Sequence, residues 1–371
     1  MAAEAAHRVV VLGAGPAGCA TAIALHQHGI SDVLLVEAGQ ALGALDAVRV
    51  GESLPPDVRL LLQQLGLWQD FLAEGHAPCF GSCSVWGGDA PGYNDYLLNP
   101  HGHGWHLDRR RFDVFLARQA LARGIQLLDC TRFLDAAPVA GGGYGLQLES
   151  AGMPRAVRAA FVVDATGRSA RFARLRGTTR QFHDRLGYLA GFLDLPTHAA
   201  PFSRMTLLEA VEYGWWYAAR LAERRVAVAV ASDPDRVKQL GLHRPETWLA
   251  RLRATRHVGP ALVEGVPVPG RRAVCSAPSF LLDRRHGPDW LAVGDAASAY
   301  DPIAAQGIYK ALLDGLEAAD AIAAACDGES GPLDAYGAAV AERFDDYRAN
   351  RDYFYGIEHR WPTASFWQRR K

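Results

Sequence analysis

The chain has 371 residues, 49% of them hydrophobic and 21% charged, and its formal net charge is −1 at pH 7. A chain of this length can bury a large core, which predicts two domains or one elaborated domain. A net charge near zero gives no electrostatic attraction for nucleic acid, so we expect no nucleic-acid partner. No charged and then apolar leader precedes Val9, and no apolar run reaches the roughly 18 residues that cross a membrane. We therefore expect a cytoplasmic protein with no signal peptide and no membrane span.

The six cysteines are scattered along the chain, and one of them, Cys19, falls in the first predicted helix. This spacing predicts free thiols of a reducing compartment and not a disulfide framework. Cys79 and Cys83 could form a redox or metal pair, but no second pair accompanies them, so ordinary packing is favoured. The three histidines of NPHGHGWH lack a neighbouring carboxylate or cysteine, which favours turn or pocket-lining roles. We predict no metal site.

The first βαβ unit carries the strongest local motif of the sequence. Val9–Leu12 is an uninterrupted apolar run, which is typical of a buried parallel strand. Gly13, Gly15 and Gly18 follow at GxGxxG spacing, and the helix after them would present free amides to a pyrophosphate. Glu37 ends the second strand, where a carboxylate can accept hydrogen bonds from a ribose. The unit predicts dinucleotide binding.

Helical patterns recur after this unit. They show apolar residues at helical spacing. Start signals such as Asp108 and stop signals such as Gly124 mark their ends. They predict helices at Val58–Leu67, Leu107–Gly124, Glu246–Arg253, Gln306–Ala325 and Leu333–Arg351.

Strand patterns lie between the helices. A strand is predicted at Ile125–Leu128, and buried-type strands are predicted at Phe161–Asp164 and Trp290–Asp295, with a hairpin or turn at GGGYG. Residues 76–104 are rich in Gly, Pro, aromatic residues and His, which predicts either strands joined by turns or a long functional loop. Residues 180–275 contain alternating strands and predict an inserted sheet domain.

Four separated pieces of the sequence together resemble one family. They are GAGPAG with Glu37, RVGES, VVDATGR and AVGDAASAYDPIAAQGIYKALLDG. The combination closely resembles the flavoprotein monooxygenases of the aromatic hydroxylase type, and within them the branch of flavin-dependent halogenases and geranylgeranyl reductases. In size and in the run GWHLDRRRFD the chain is similar to flavoproteins that hydroxylate tryptophan in quinoprotein or peptide precursors.

The resemblance implies an α/β fold with a Rossmann-like FAD-binding domain, an inserted antiparallel β-sheet substrate domain and C-terminal helices. The FAD-binding domain would be discontinuous and comprise residues 1–80, 105–180 and 275–330. The substrate domain would comprise residues 81–104 and 181–274, and residues 331–371 would form a C-terminal helical and aromatic segment.

The resemblance also implies a set of FAD contacts. Asp295 would bind ribityl hydroxyls, the start of the last long helix would face the flavin, and Arg109 is favoured over Arg110 and Arg111 as the arginine that holds the cofactor. The predicted cofactor-binding residues are Gly13, Gly15, Ala17, Gly18, Glu37, Arg49, Ser53, Arg109, Asp164, Gly294, Asp295, Pro302, Gln306, Gly307 and Ile308.

Three departures separate the chain from the halogenases that it resembles. Ser84 lies where they carry the lysine that takes up hypohalous acid, and no lysine occurs between Met1 and Val237. Their aromatic motif WxWxIP corresponds here to GWWYAAR, which lacks Ile-Pro, and their Ser-Thr before the last glycine is Ala305-Gln306. These differences argue against halogenation.

We therefore expect an FAD-dependent monooxygenase that hydroxylates an electron-rich aromatic ring through the flavin C4a-hydroperoxide implied by the resemblance. The ring could be a small molecule, or an indole or tryptophan carried on a peptide or protein. O2 would be the co-substrate, and electrons would come from NAD(P)H or a partner flavin reductase, because no second nucleotide motif is present.

The predicted catalytic and substrate-binding residues follow from residue chemistry. A general base would activate the ring, and aromatic walls would stack on it, although each aromatic residue taken singly is better explained as core. The candidate acid–base residues are His106, His103, Asp301 and Glu52, and the candidate pocket residues are Trp86, Trp105, Trp215, Trp216 and Tyr217.

Three alternatives stay open. A flavin-dependent halogenase is opposed by the missing lysine, and a geranylgeranyl-reductase-like enzyme would require a long apolar tunnel. A non-catalytic flavin-binding maturation partner could use the aromatic tail, Tyr353–Trp367, as a partner surface.

Overall fold

The computed structural model describes residues 5–43, 48–329 and 331–371. It confirms the mixed α/β architecture, with parallel and antiparallel sheets and C-terminal helices. The helices are α1 (Pro16–Gln27), α2 (Val58–Gln64), α3 (Trp68–Ala73), α4 (Arg109–Ala122), α5 (Arg171–Leu175), α6 (Pro234–Gln239), α7 (Pro245–Arg253), α8 (Val258–Ala261), α9 (Gly307–Cys326), α10 (Gly331–Ile357) and α11 (Ser365–Gln368).

Within the described ranges, the strands divide among four sheets. They are β1 (Ala5–Leu12), β2 (Val33–Val36), β3 (Ser53–Leu54), β4 (Ala77–Cys79), β5 (Gly81–Val85), β6 (Gly92–Asp95), β7 (Gly104–His106), β8 (Gln126–Leu128), β9 (Thr131–Pro138), β10 (Tyr144–Ser150), β11 (Met153–Asp164), β12 (Arg180–Phe182), β13 (Gly187–Asp194), β14 (Thr206–Val211), β15 (Gly214–Arg220), β16 (Arg225–Ser232), β17 (Val266–Ser276), β18 (Phe280–Leu282), β19 (His286–Gly287), β20 (Trp290–Ala292) and β21 (Ser298–Ala299).

The first layer is a sheet whose central strands run parallel in the order β20-β11-β1-β2-β8. The apolar runs of β1 and β2 are buried on both faces, as expected of a central parallel strand. Helices α1 and α9 pack beside each other on this sheet and share its core. The carboxyl ends of β1 and β11 therefore meet at one edge, where ligands of open α/β sheets bind.

The second layer is a seven-stranded sheet with the order β17-β13-β16-β15-β14-β5-β6. Adjacent strands of this sheet are antiparallel, except that β14 and β5 are parallel to each other. Residues 81–95 thus join one sheet with strands from residues 187–276. Residues 76–104 form strands β4 to β7, and not a long loop. The proposed domain boundaries stay a prediction, and the one at residue 330 lies outside the described residues.

The ends of two helices, α2 and α4, can be compared with the sequence signals that predict them. The predicted helix Val58–Leu67 is interrupted, because Gly66 takes a left-handed conformation with φ +67° and a new helix, α3, starts at Trp68. Helix α4 begins as its sequence indicates, since the Asp108 carboxylate accepts hydrogen bonds from the amides of Arg110 and Arg111 at 3.0 and 3.1 Å.

Candidate active site

A cavity of about 380 Å³ lies between the two layers. Its walls come from the glycine turn after β1, the segment that leads into β3, the turn after β11, the first residues of α9 and one face of the seven-stranded sheet. Elements that are far apart in sequence therefore meet around one space.

The glycine turn fits a bound pyrophosphate. Gly13 has φ +116°, and a Cβ there would collide with the Ala165 carbonyl, while a Cβ on Gly18 would collide with the Gly13 carbonyl. Gly15 lines the cavity, and apart from its chain neighbours no atom lies within 4 Å of the position its Cβ would take. The first and third glycines thus let strand and helix pack closely, and the second leaves backbone open to a ligand.

Glu37 fixes the same turn. Its carboxylate accepts hydrogen bonds from the amides of Ala14 and Gly39, each at 2.9 Å. The predicted contact of Glu37 with a ribose stays a prediction, since both oxygens already hold main-chain groups.

The start of α9 forms the opposite wall. Pro302, Gln306, Gly307 and Ile308 line the cavity, and Gln306 leaves the first amides of this 20-residue helix without a side-chain cap. Free amides at the positive end of a helix favour negative charge on a bound group.

Asp295 also lines this wall. Its carboxylate lies 3.3 Å from Nε of Arg168 and 3.8 Å from the buried Nζ of Lys310. Gly294, next to it, uses its amide to donate to the buried Asp314 carboxylate at 3.0 Å, which anchors the turn from behind.

Arg109 lines the cavity at the first turn of α4. Its guanidinium donates to the Val50 carbonyl and lies 3.3 Å from the Asp113 carboxylate, and its Nε is buried without a hydrogen-bond partner. Arg49 also reaches Asp113, at 2.7 Å, but does not line this cavity. Arg109 thus presents a buried donor that a ligand could satisfy.

The two neighbouring arginines point elsewhere. Arg110 donates to the Gly43 carbonyl at 2.9 Å, and Arg111 donates to the Glu74 carbonyl. Neither lines the main cavity.

Asp164 serves the fold at this site. One oxygen accepts hydrogen bonds from the Thr166 amide and hydroxyl at 3.0 and 2.6 Å, and the other accepts from the Ala173 amide at 2.8 Å. Burial raises the pKa of this carboxyl. Asp164 therefore shapes the turn that brings Ala165 and Arg168 to the cavity and does not line the cavity itself.

Glu52 is the buried acid of the cavity wall, with only 3% of its surface exposed. Burial raises its pKa from 4.5 to about 7, while the Arg109 guanidinium opposes that rise. Beside it, Ser53 Oγ and the Tyr217 hydroxyl are hydrogen-bonded at 2.9 Å. Glu52 can therefore exchange a proton near neutral pH.

Asp301 lines the cavity from the other side and is also buried. Its carboxylate accepts a hydrogen bond from the Tyr355 hydroxyl at 2.7 Å and from the Ile303 amide at 3.0 Å. Burial, with the nearby Asp184 charge, raises its pKa. Both of its oxygens are engaged by the chain, which favours a structural role.

The two candidate histidines do not line the cavity. His106 Nδ1 donates to the Arg220 carbonyl at 3.0 Å, its Nε2 lies 2.9 Å from the Thr206 hydroxyl, and burial lowers its pKa to about 4. The His103 ring packs against Trp105, and its Nδ1 donates a hydrogen bond to the carbonyl of the next residue, Gly104. Both side chains therefore lie outside the cavity, with His106 in strand β7 and His103 just before it.

Of the five predicted aromatic pocket residues, Tyr217 alone lines the cavity. Trp216 packs on Trp248 at the far face of the sheet, with ring centres 5.4 Å apart. Trp105 packs against Trp68, with ring centres 5.3 Å apart, in the core that β1, α1 and α9 share.

Trp215 and Trp86 meet the C-terminal segment instead. Trp215 Nε1 donates to the Tyr355 hydroxyl at 2.9 Å, and Trp86 Nε1 donates to the Phe354 carbonyl at 2.6 Å. Trp86 and Trp367 have ring centres 5.3 Å apart. These indoles belong to a core that the tail closes.

Several cavity residues are not among those predicted from the sequence. Tyr188 and Cys275 line the cavity and are paired across strands β13 and β17, and Tyr300 lines the cavity too. Burial raises the pKa of the Tyr188 hydroxyl well above its ordinary value, so it stays neutral. Only the alternation of β13 could have placed Tyr188 on one face with Ala190, and alternation does not say which face meets a ligand.

Within the described ranges, no group of three or more His, Cys, Asp and Glu side chains is arranged to hold a metal ion. All six cysteines, which lie in those ranges, are free thiols. No helix in the described part of the chain is long and apolar enough to cross a membrane.

Comparison with known families defines the class. The family model described as FAD binding domain matches residues 6–348, so the chain belongs to that family of FAD-dependent oxidoreductases. LodB of Marinomonas mediterranea, named as an FAD-dependent oxidoreductase, is 26% identical over 362 residues, which cover 97% of this chain and 96% of LodB.

Solved structures agree with this fold. The flavin-dependent halogenase CmlS superposes with a TM-score of 0.86 at 23% identity, covering 100% of this chain and 68% of CmlS. The peptidyl tryptophan dihydroxylase QhpG superposes with a TM-score of 0.76 at 25% identity, covering 99% of this chain and 79% of QhpG.

Proposed function

We propose that the protein is an FAD-dependent monooxygenase that hydroxylates an electron-rich aromatic ring, with an indole carried on a peptide as the favoured substrate. One atom of O2 enters the ring, the other leaves as water, and the two electrons come from NAD(P)H directly or through a partner flavin reductase. The similarity to a peptidyl tryptophan dihydroxylase supports the substrate class.

The residues present fit FAD. The open space at Gly15 and the unpartnered Nε of Arg109 suit a pyrophosphate and its neighbouring oxygens. The free amides at the start of α9 would face the ring system, and Asp295 would accept hydrogen bonds from ribityl hydroxyls. Reduced FAD supplies the activation of O2, and the protein positions the substrate ring and excludes water.

The observation that carries the proposal is the pairing of a proton acceptor with an aromatic wall. Glu52, with its pKa near neutrality, lines the same cavity as Tyr188 and Tyr217. Glu52 can accept the N–H or O–H proton of an indole or phenol while the ring attacks an electrophilic oxygen, and this transfer lowers the barrier of the attack. The tyrosine rings can hold it by stacking.

A flavin-dependent halogenase is the second candidate, because solved halogenases share the fold. The lysines oppose it. All three lysines of the sequence lie in the described ranges, and none of them lines the cavity. Lys310 Nζ is buried and donates to the Ser298 carbonyl at 2.8 Å. Lys238 lies on α6, and Lys371 is the last residue. Ser84 lies on β5, at the place where the family resemblance implies the lysine.

Mass spectrometry separates the two candidates. Protein loaded with FAD is incubated with a reducing system, bromide, isotopically labelled O2 and a panel of indoles, phenols and tryptophan peptides. We expect one or more labelled oxygen atoms in the product and no bromine. Bromine in the product would refute the hydroxylase, and the absence of both labels across the panel would favour the non-catalytic maturation partner.

A further inference from the structure

Strand β17 ends the seven-stranded sheet and pairs there only with β13 among the described strands. Most of its residues are exposed or partly exposed, and Val274 has 65% of its surface exposed. An edge strand of this kind presents unpaired main-chain groups to which an extended segment can add.

The register shows which groups face outward. The Ala277 amide donates to the Leu186 carbonyl at 2.7 Å, next to the antiparallel pair of Gly187 with Ser276. Main-chain groups alternate between the two sides of a strand. Those of Ala277 and Cys275 therefore point to β13, and those of Val274 and Ser276 point away from the sheet.

This edge runs directly into the cavity. Cys275, Ser276 and Ala277 line it, and Cys275 lies opposite Tyr188, which lines it too. The other edge strand, β6, contributes no residue to the cavity.

The C-terminal segment closes the opposite end of this face. Phe366 and Trp367 have 0% and 1% of their surface exposed and pack with Trp215 of β15 and Ala210 of β14. These two strands lie on the side of the sheet away from β17.

We propose that the aromatic substrate arrives on an extended polypeptide segment that adds as a strand to the outer edge of β17, along Val274–Ser276. The added strand would lie about 4.8 Å from β17. Side chains on its cavity face would then lie beside Cys275, so one aromatic ring can enter the cavity. This proposal rests on the proposed function and specifies how its substrate binds.

Features of β17 itself confine the docking segment. Pro267 and Pro269 lack amide donors, and Gly270 has φ +69°, so the regular outer edge begins after them. The register of β17 on β13 is also irregular before this point, between Gly191 and Leu193 of β13.

The test uses a fluorophore-labelled peptide, acetyl-Gly-Ser-Trp-Ser-Gly-amide, and the FAD-loaded protein, with binding followed by fluorescence polarisation. Val274→Pro removes an outward amide and leaves the β13 ladder intact, whereas Val274→Ala keeps the amide. We expect a peptide affinity at least about tenfold weaker for Val274→Pro, and within about twofold of the parent protein for Val274→Ala. Equal affinities of the proline and alanine variants would overturn the proposal.

A second measurement does not depend on how the variant folds. Two peptides of the same sequence are N-methylated on alternate residues, so that each lacks one of the two sets of strand amides. We expect one form to lose affinity for the unaltered protein and the other to keep it, because only one set would face β17. If both forms bind as tightly as the parent peptide, strand addition is refuted.

Failure of this proposal can be told apart from failure of the proposed function. If N-acetyltryptophanamide gains labelled oxygen while the peptide tests show no strand pairing, only the docking mode is wrong. If no indole, phenol or peptide gains oxygen, the hydroxylase itself is wrong, and with it the proposal built on it.

Discussion

Glu52 is the residue whose ionisation matters most for the proposed reaction. As a general base with a pKa of about 7, it would make kcat/KM rise with pH and level off above pH 8. We expect Glu52→Gln to lower kcat about 100-fold or more, the usual contribution of a general base, and to remove the inflection near pH 7. The measurement is the pH profile of oxygenated product, with Ser84→Ala as a control that should keep the inflection.

The same carboxyl predicts an effect on stability. Its folded pKa of about 7 lies above its ordinary value of 4.5, so the native state favours the protonated form. The contribution of Glu52 is present in full below pH 4.5 and is lost as the pH rises through 7. As the pH rises from 4.5 to 8, we expect the parent protein to lose stability and Glu52→Gln to lose less of it, as measured by urea unfolding of the apoprotein. A parallel pH dependence in both proteins would contradict the raised pKa.

Arg109 makes a separate prediction about the cofactor. Loss of a hydrogen bond to a charged group costs about 1.5–3 kcal/mol, so Arg109→Met should weaken FAD binding roughly 10- to 100-fold. Arg111→Met is a matched control on the same helix, because Arg111 donates to the Glu74 carbonyl and does not line the cavity. Quenching of FAD fluorescence measures both. Equal affinities would remove the cofactor role from Arg109.

For single residues, the sequence predicts the type of side chain at the site better than the face of the sheet to which that side chain points. Trp215 and Trp216 are adjacent on β15 and therefore point to opposite faces, yet neither lines the cavity, whereas Tyr217 does. The glycine motif predicts its own tight turn, because Gly18 packs on the Gly13 carbonyl within the same βαβ unit, but the contact of Gly13 with the Ala165 carbonyl comes from the distant strand β11. Tyr188 and Cys275 could not be found in this way, since strand register and sheet packing bring them together.

At the scale of elements, capping and glycine signals locate helix ends well. The Asp108 cap and the Gly124 stop bracket α4 closely, while the periodicity at Val58–Leu67 runs across the left-handed Gly66 that separates α2 from α3. The composition of residues 76–104 left strands and loop unresolved, because β5 pairs with the distant strand β14 and β7 pairs with β3, and local composition does not encode such contacts.

His106 shows how one of these short strands is held. It lies on β7 and joins the Arg220 carbonyl of β15 to the Thr206 hydroxyl of β14. Burial lowers its pKa from 6.5 to about 4, so it stabilises the fold fully above pH 6.5 and loses that contribution as the pH falls towards 4. The full loss amounts to about 3 kcal/mol.

We expect His106→Gln to be less stable than the parent protein at pH 7 and to lose less stability between pH 6.5 and 4.5. Urea unfolding at several pH values measures this difference. His359→Gln, at an exposed position, is the control and should follow the parent curve. A His106→Gln curve that falls as steeply as the parent curve would mean that another group controls acid unfolding.

At the scale of the whole molecule, the site and the fold are the same construction. The cavity takes residues from the first strand–helix turn, the middle of the chain and the start of α9. Tyr355, near the end of α10, adds a hydrogen bond to Asp301 in the cavity wall. The resemblance predicted the two layers, but nothing in the sequence showed that the aromatic tail is internal, because an apolar tail is equally typical of a partner surface.

The buried aromatic tail should contribute strongly to the stability of the fold. Trp367 has 1% of its surface exposed, donates to the Val211 carbonyl at 3.0 Å and packs on Trp86. Truncation of a buried tryptophan costs about 3–5 kcal/mol, so Trp367→Ala should lower the free energy of unfolding by that amount. Phe354→Ala, at a position with 49% exposure, should cost less than about 1 kcal/mol. Urea unfolding of both variants decides between the two accounts of the tail. A small effect of Trp367→Ala would mean that the segment is held loosely and is free to serve as a partner surface. The large effect would make it part of the core that closes one end of the cavity face of the seven-stranded sheet.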